Sequence, residues 1–190
     1  MNRRGKLVVF SAPSGAGKSS LIASVMPSIP SLRYSVSATT RKPRVGEVDG
    51  VHYFFLDRTL FHAMISAGEF AEWNEVHGNL YGTPRTFLDQ ATARGEDVVL
   101  DLDVVGKRSF DRIYPDNIGI LILPPSIEEL ERRLRRRGTD PEEVIRIRMT
   151  NALSELAEAE TGNFRHRLIN DDFELSRQKL LDILRSELET

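Results

Sequence analysis

Between a short apolar run, Leu7-Val8-Val9-Phe10, and a helical pattern from Leu21 to Met26 lies the segment Ala12-Pro13-Ser14-Gly15-Ala16-Gly17-Lys18-Ser19. It fits the looser form of a phosphate-cradling loop, with Ala for the usual first Gly, four residues, then Gly-Lys-Ser. The residue types follow from the chemistry. Gly15 and Gly17 let backbone N–H groups turn inward around phosphate oxygens, and the helix that follows aims its positive end at the same place. Lys18 can reach the β- and γ-phosphates, and the Ser19 hydroxyl can hold Mg²⁺. A random Gly-rich turn would satisfy the same pattern. The buried strand before it and the helix after it decide for the loop, at the N-terminus of an α/β core.

The rest of the chain extends that core. Val98-Val99-Leu100 and Ile118-Gly119-Ile120-Leu121-Ile122-Leu123 are continuous apolar runs, as expected of parallel strands covered on both faces. Helical patterns separate them, which predicts right-handed βαβ units. Two stretches break the rhythm. Residues 35–84 hold most of the aromatics, alternation in Val51-His52-Tyr53-Phe54-Phe55, and turn signals at Val45-Gly46-Glu47 and Asp49-Gly50. They predict a mixed, hairpin-bearing insert with Phe54, Phe55, Phe61, Phe70 and Trp73 in its core and Asp49, Glu69 and Glu75 on its surface. Residues 126–162 are helical and rich in Arg and Glu. Gly138 suits a helix stop, and Asp140-Pro141-Glu142-Glu143 a helix start with Asp140 as cap and Pro141 in the first turn. Phe173 to Glu189 carries Leu175, Leu180, Leu181 and Leu184 at helical spacing and should pack on the core.

Composition narrows the function classes. The chain has no cysteine, which excludes disulfides and thiolate metal sites. His52, His62, His77 and His166 lack metal-ligand spacing. A formal charge of -2 gives no reason to expect nucleic acid or an anionic membrane as partner. Leu7 to Phe10 is too short for a signal-peptide core, and no run approaches the ~20 apolar residues of a membrane span. A cytoplasmic location is the default expectation; monomer or homo-oligomer is left open.

Val98-Val99-Leu100-Asp101-Leu102-Asp103 ends a buried strand with two carboxylates two residues apart. At the carboxyl end of such a sheet they can order the water shell of Mg²⁺ or accept from substrate donors. Alternatively they cap the helix that begins near Gly106.

From Ser35 the chain reads Ser-Val-Ser-Ala-Thr-Thr-Arg-Lys-Pro-Arg-Val-Gly-Glu, to Glu47. With Gly78-Asn79-Leu80-Tyr81-Gly82-Thr83, Leu100-Asp101-Leu102-Asp103, Arg136-Arg137-Gly138-Thr139 and Ile169-Asn170-Asp171-Asp172, it closely resembles the guanylate kinase family. The motifs stand in family order over nearly the whole chain. The resemblance implies an α/β fold: a P-loop nucleoside monophosphate kinase core with a parallel sheet (1–34, 85–125 and 163–190), a mixed α+β GMP-binding insert (35–84) and a helical lid (126–162). It implies transfer of the γ-phosphoryl group of MgATP to GMP, and to dGMP with it, giving ADP and GDP. Mg²⁺ is the implied cofactor, held by Ser19 and by Asp101 through water. Ser14, Gly15, Ala16, Gly17, Lys18, Ser19 and Ser20 match the ATP site, with Arg137 and Asn170. Arg41, Arg44, Tyr53 and Tyr81 match positions that hold the GMP phosphate. Ser37, Glu72 and Thr83 match those that read guanine, with Gly82, Asp101 and Asp103 close by. Arg133, Arg137 and Arg148 match lid arginines that clamp the transferring group and act in catalysis with Lys18, Arg41 and Arg44.

The chemistry of the base agrees. Guanine offers N1–H and a 2-amino group, which suit one carboxylate such as Glu72, while O6 and N7 accept from hydroxyls such as Ser37 and Thr83. Adenine would face that carboxylate with an acceptor, a mismatch of several kcal/mol when buried. In the Arg-rich helix, Glu128–Arg132, Glu129–Arg133 and Glu131–Arg135 have the spacing of supportive i, i+4 pairs.

The chain departs from the family pattern at Ala12, at Val105 where Gln is common, at Leu80 where an aromatic is usual, and at Arg165 and Arg167. Arg167 leaves the register of the short strand near Leu168-Ile169 open. Two other readings compete. A kinase of ribose 1,5-bisphosphate would have no need for Ser37, Glu72 and Thr83 together, and a non-catalytic protein-binding module usually has a degraded phosphate loop.

Overall fold

A computed structural model of the chain describes residues 3–76, 78–136 and 141–189. Its centre is β1 (Leu7–Ser11), in which Val8, Val9 and Phe10 are wholly buried; each such side chain contributes on the order of 2 kcal/mol. The strands β2 (Leu32–Tyr34), β7 (Asp97–Asp101), β8 (Ile118–Leu123) and β9 (His166–Ile169) join it in one parallel sheet of order β2-β7-β1-β8-β9. Because side chains alternate along a strand, the sheet feeds two cores. Val8 and Phe10 pack with Leu21 and Ile22 of α1 (Lys18–Val25) and with Leu180 and Leu184 of α7 (Phe173–Leu188). Leu7 and Val9 pack on the other side with Leu88 and Ala91 of α3 (Arg85–Ala93) and Phe110 of α4 (Val104–Asp111). Buried Asp97, at the start of β7, accepts two bonds from the Arg3 guanidinium (2.6 and 3.0 Å) and one from the Lys6 N–H (2.8 Å), fixing the chain's entry into the sheet.

The three long apolar runs are the central strands, as expected. The edge strand β2 carries no comparable run. Arg167 lies on the other edge strand, opposite Leu121. Its guanidinium donates to the Ala159 and Glu160 carbonyls (3.1 and 3.2 Å) at the end of α6 (Glu142–Glu160), where a cation meets the negative end of the helix. An edge strand leaves room for that side chain, so the departure from the family pattern does not disturb the register.

A second sheet, of order β4-β3-β6-β5, is built from β3 (Ala38–Thr39), β4 (Phe54–Phe55), β5 (Phe70–Val76) and β6 (Asn79–Pro84). Asp57 caps α2 (Arg58–Ser66) by accepting from the Leu60 N–H at 2.7 Å. Phe61 of that helix stacks on Phe70 at 4.5 Å, over Ala38 and Leu80. Trp73 and Phe54 do not belong to this core: they are 46% and 40% exposed. With Glu72 turned inward, the period of two sends Trp73 outward.

The remaining helices are α5 (Ile127–Arg136) and α6. Glu129 pairs with both Arg132 and Arg133, and Arg135 with Glu131 and Glu142, so the last pair ties α5 to α6. Arg132 thus uses the i, i+3 partner rather than Glu128. Pro141 stands at the cap position of α6 rather than in its first turn, so the helix begins at Glu142, one residue later than expected; Gly138 and Asp140 lie outside the described residues. In α7, Leu180, Leu181 and Leu184 are buried, but Leu175, nearly opposite Leu180 on the helical wheel, is 64% exposed. No helix among the described residues is long and apolar enough to cross a membrane.

Gly17 precedes α1 in the left-handed region (φ 93°), and a Cβ there would lie 2.4 Å from the Asn170 amide nitrogen. Gly17→Ala should therefore destabilise the fold by roughly 1–3 kcal/mol, read as a lowered Tm. An unchanged Tm would show that the loop does not need this backbone geometry.

Candidate functional site

The chain leaves β1 at its carboxyl end, turns through the loop and enters α1, so Lys18 sits at the start of a helix and at the mouth of the sheet. Its ammonium donates to the Leu102 carbonyl at 3.0 Å and forms an ion pair with Asp101, the last residue of β7. The Ser19 hydroxyl lies 3.5 Å from the other oxygen of Asp101. The two predicted metal-holding oxygens are therefore adjacent. Ser14, Gly15 and Ala16 form the turn; Ser20 follows in the first turn of α1 and is exposed.

Asn170 stands behind the loop. It is buried, and its amide donates to the Ala16 carbonyl at 2.8 Å. That donor holds the loop backbone, so the residue supports the cradle from below.

Two of the residues expected to read the base, Glu72 and Thr83, come together through the β5–β6 hairpin, which sets them directly opposite each other. The Thr83 hydroxyl donates to Glu72 Oε1 at 2.6 Å. Glu72 is 8% exposed. Burial, assisted by the nearby Asp103 charge and opposed by the Thr83 bond, pushes its carboxyl up to about 7. Its second oxygen rests against α4 where a Cβ on Gly106 would lie only 3.0 Å away, so Gly106 admits the carboxylate to the positive end of that helix. Asp103 takes both roles that the sequence offers. It caps α4 by accepting from the Gly106 N–H at 2.6 Å, and it lines a cavity of about 210 Å³ together with Glu72 and Asp101.

Lys18, Ser37, Tyr53, Tyr81 and Gly82 line the same cavity. The ring of Tyr53 meets that of Tyr81 edge-on at 6.0 Å, and the Arg41 guanidinium lies over Tyr53 at 5.4 Å. Arg41 is held from its other side by Glu47 through two parallel bonds of 2.8 and 3.0 Å. Glu47 also accepts from the Arg44 N–H at 2.7 Å, so one carboxylate folds the whole Arg41–Arg44 turn. The bonds from Arg41, then from Arg44, hold Glu47 well below the usual carboxylate range. Arg44 itself is exposed.

Arg133 on α5 is held by Glu129 at 2.7 Å, and Arg148 is half-buried on α6. Arg137 lies outside the described residues. Two participants escape sequence reading. Glu47 closes the Thr-Thr-Arg motif, and its spacing of six from Arg41 was the available signal. Glu155, on α6, accepts from the Ser14 N–H at 3.1 Å; nothing distinguishes it in sequence from the other glutamates of that helix. No group of three or more His, Asp or Glu side chains among the described residues is arranged to hold a metal by itself.

Known proteins that resemble the chain belong to one family. The sequence model of the family described as "Guanylate kinase" matches residues 4–187. The guanylate kinase of Carboxydothermus hydrogenoformans is 48% identical over 184 residues, covering 97% of this chain and 89% of that protein. That of Shewanella violacea is 47% identical over 188 residues, covering 98% and 90%. Among solved structures, the guanylate kinase from Anaplasma phagocytophilum superposes with a TM-score of 0.76 at 32% identity, covering 98% of this chain and 88% of that one. The phosphate loop, the paired Glu72 and Thr83 and the Arg41 turn thus sit in a sequence and a fold that match the family from end to end, and the chain belongs to the guanylate kinase family.

Proposed function

We infer that this chain is a guanylate kinase that moves the γ-phosphoryl group of ATP to the phosphate of GMP. The observation that carries the reading is one shared cavity: Lys18 of the phosphate loop and Glu72, whose carboxylate is held by Thr83, line it together. A donor phosphate on the loop and an acceptor nucleotide on the hairpin would face each other across it. A phosphate oxygen of GMP attacks the γ-phosphorus, the bond to the β–γ bridging oxygen breaks, and ADP leaves with that electron pair. The acceptor is already an anion, so no general base is needed. What the protein supplies is position and positive charge.

On this reading Glu72 accepts from N1–H and the 2-amino group of guanine, with Ser37 and Thr83 beside it. Arg41, Arg44, Tyr53 and Tyr81 hold the GMP phosphate. Lys18, Arg133, Arg137 and Arg148 neutralise the transferring group. Ser19 and Asp101 offer adjacent oxygens, which suits Mg²⁺, an ion that keeps several waters and takes its other ligands from phosphates. When bound, Mg²⁺ would neutralise charge on the β- and γ-phosphates. Residues 35–84 and 126–162 are read as units that close over the core formed by 1–34, 85–125 and 163–190, shutting out water that would hydrolyse ATP.

Lys18→Ala should lower kcat/KM by at least about a thousandfold in a coupled assay of ADP formation with GMP. Near-normal turnover in a folded variant would refute the scheme. With AMP, UMP or ribose 1,5-bisphosphate as acceptor, the unmodified enzyme should turn over far more slowly; selective use of any of them would sink the assignment of GMP.

Glu72 adds a pH dependence. Guanine's donors require the carboxylate, and this carboxyl ionises near 7 in the empty protein. GMP should therefore bind about tenfold more weakly at pH 6 than on a plateau above pH 8. Glu72→Gln should flatten the part of the profile that GMP's own ionisation does not explain. The stability sign is opposite. The folded pKa lies above the unfolded one, so Glu72 weakens the fold as pH rises from about 4.5 through 7. Glu72→Gln should then stabilise by roughly 1–3 kcal/mol at pH 8 and not at pH 4, and equal Tm shifts at both pH values would contradict it.

A further inference from the structure

The contact between Glu155 and the phosphate loop joins two parts that the reaction must bring together. Glu155 lies on α6, and its carboxylate accepts from the Ser14 N–H at 3.1 Å. Desolvation chiefly raises its pKa, the Ser14 bond and the Lys18 charge lower it, and Asp103 and Glu158 raise it again. These neighbours place the carboxylate within the field of the loop and of Lys18. A backbone N–H of such a loop is a donor for phosphate oxygens, so here a protein carboxylate makes a bond that a phosphate oxygen could make.

The position of Glu155 on its helix gives the contact a consequence. It follows Arg148 by seven residues, two turns, so both project from the same side of α6. One face of one helix therefore carries an anion that pairs with a loop N–H and a cation suited to phosphate.

We propose that Glu155 is a substrate-mimicking latch: its carboxylate holds α6 to the phosphate loop in the empty protein and is displaced by a phosphate of the incoming nucleotide. Displacement frees α6 to turn or shift so that the face bearing Arg148 meets the new negative charge. The latch also sets selectivity. A ligand must bring enough charge to compete for the Ser14 N–H, which favours a triphosphate over shorter ligands when the lid engages. Glu155 is a positioning residue in this scheme, and it performs no chemistry on the substrate.

The inference rests on reading the loop as the ATP site, and the test separates the two. Calorimetric titrations of ATP, ADP and adenosine would be run on the unmodified protein and on Glu155→Gln, Glu155→Ala and Lys18→Ala. Gln keeps the shape and an acceptor but loses the charge, and charge-assisted bonds are about twice as strong as neutral ones. Glu155→Gln should bind ATP about fivefold more tightly and ADP less so, with adenosine unchanged within about twofold; Glu155→Ala should give the same ranking. ATP binding that is unchanged or weaker in both variants overturns the latch. So does an equal gain for adenosine, which would mark a general loosening of α6. If Lys18→Ala binds ATP like the unmodified protein, the loop reading falls and the latch with it.

Discussion

A phosphate loop must hold one fixed turn, so that its backbone N–H groups surround one small volume. The surrounding structure is arranged to meet that constraint. β1 and α1 fix the two ends of the loop. Behind it, Asn170 binds the Ala16 carbonyl and packs so close to Gly17 that no Cβ fits. Across it, a Cβ on Gly15 would lie only 3.0–3.2 Å from the side chains of Leu130 and Leu134 of α5. A loop clamped from behind by the β9–α7 junction and from the front by α5 keeps its turn, in which the Ala16 N–H donates to the Pro13 carbonyl (3.1 Å) and the Ser14 N–H to Glu155. The geometry of the phosphate site is thus a property of the chain's two most distant thirds, Ala12 to Ser19 and Leu130 to Asn170.

Much of this was legible in the sequence. β1, β7 and β8 announce themselves because strands covered on both faces must be apolar throughout, and the loop because phosphate binding demands glycine at fixed spacing. β2 and β9 are shorter and lie at edges, where a partner on only one side relaxes the apolar requirement, so Arg33 and Arg167 fit there. Trp73 misleads for a related reason: size suggests core, but its parity in β5 is set by Glu72, a polar residue whose burial only the hairpin partner Thr83 explains. Arg132 chose Glu129 over Glu128 because Glu129 lies between two arginines on the same face and can serve both. Helical spacing permits such pairs without selecting among them.

The end of the site that we assign to guanine is built on a conflict that composition does not reveal. Glu72 is buried against the first turn of α4, and that desolvation outweighs the Thr83 bond in raising its pKa. Water would relieve it, but the hairpin and helix exclude water from most of its surface. With its carboxyl pushed up to about 7, the residue is divided between neutral acid and anion near neutral pH, and a ligand that supplies donors would favour the anion. The same burial that weakens the fold strengthens discrimination, because a ligand presenting an acceptor leaves the conflict unresolved.

The phosphate end is built the opposite way. Lys18 rests on Asp101, Arg41 on Glu47 and Arg133 on Glu129, and the Ser14 N–H rests on Glu155. In each case a carboxylate occupies a donor suited to phosphate. Removing the carboxylate from Lys18, Arg41 or Arg133 outright would leave a largely covered charge unpaired. Exchanging it for phosphate oxygens keeps the number of charge-assisted bonds nearly constant, so the net binding energy is small while geometry is preserved. A site assembled from these exchanges can bind a highly charged substrate without trapping its equally charged product. That matters for a reaction in which the number of phosphoryl groups does not change and turnover depends on letting go.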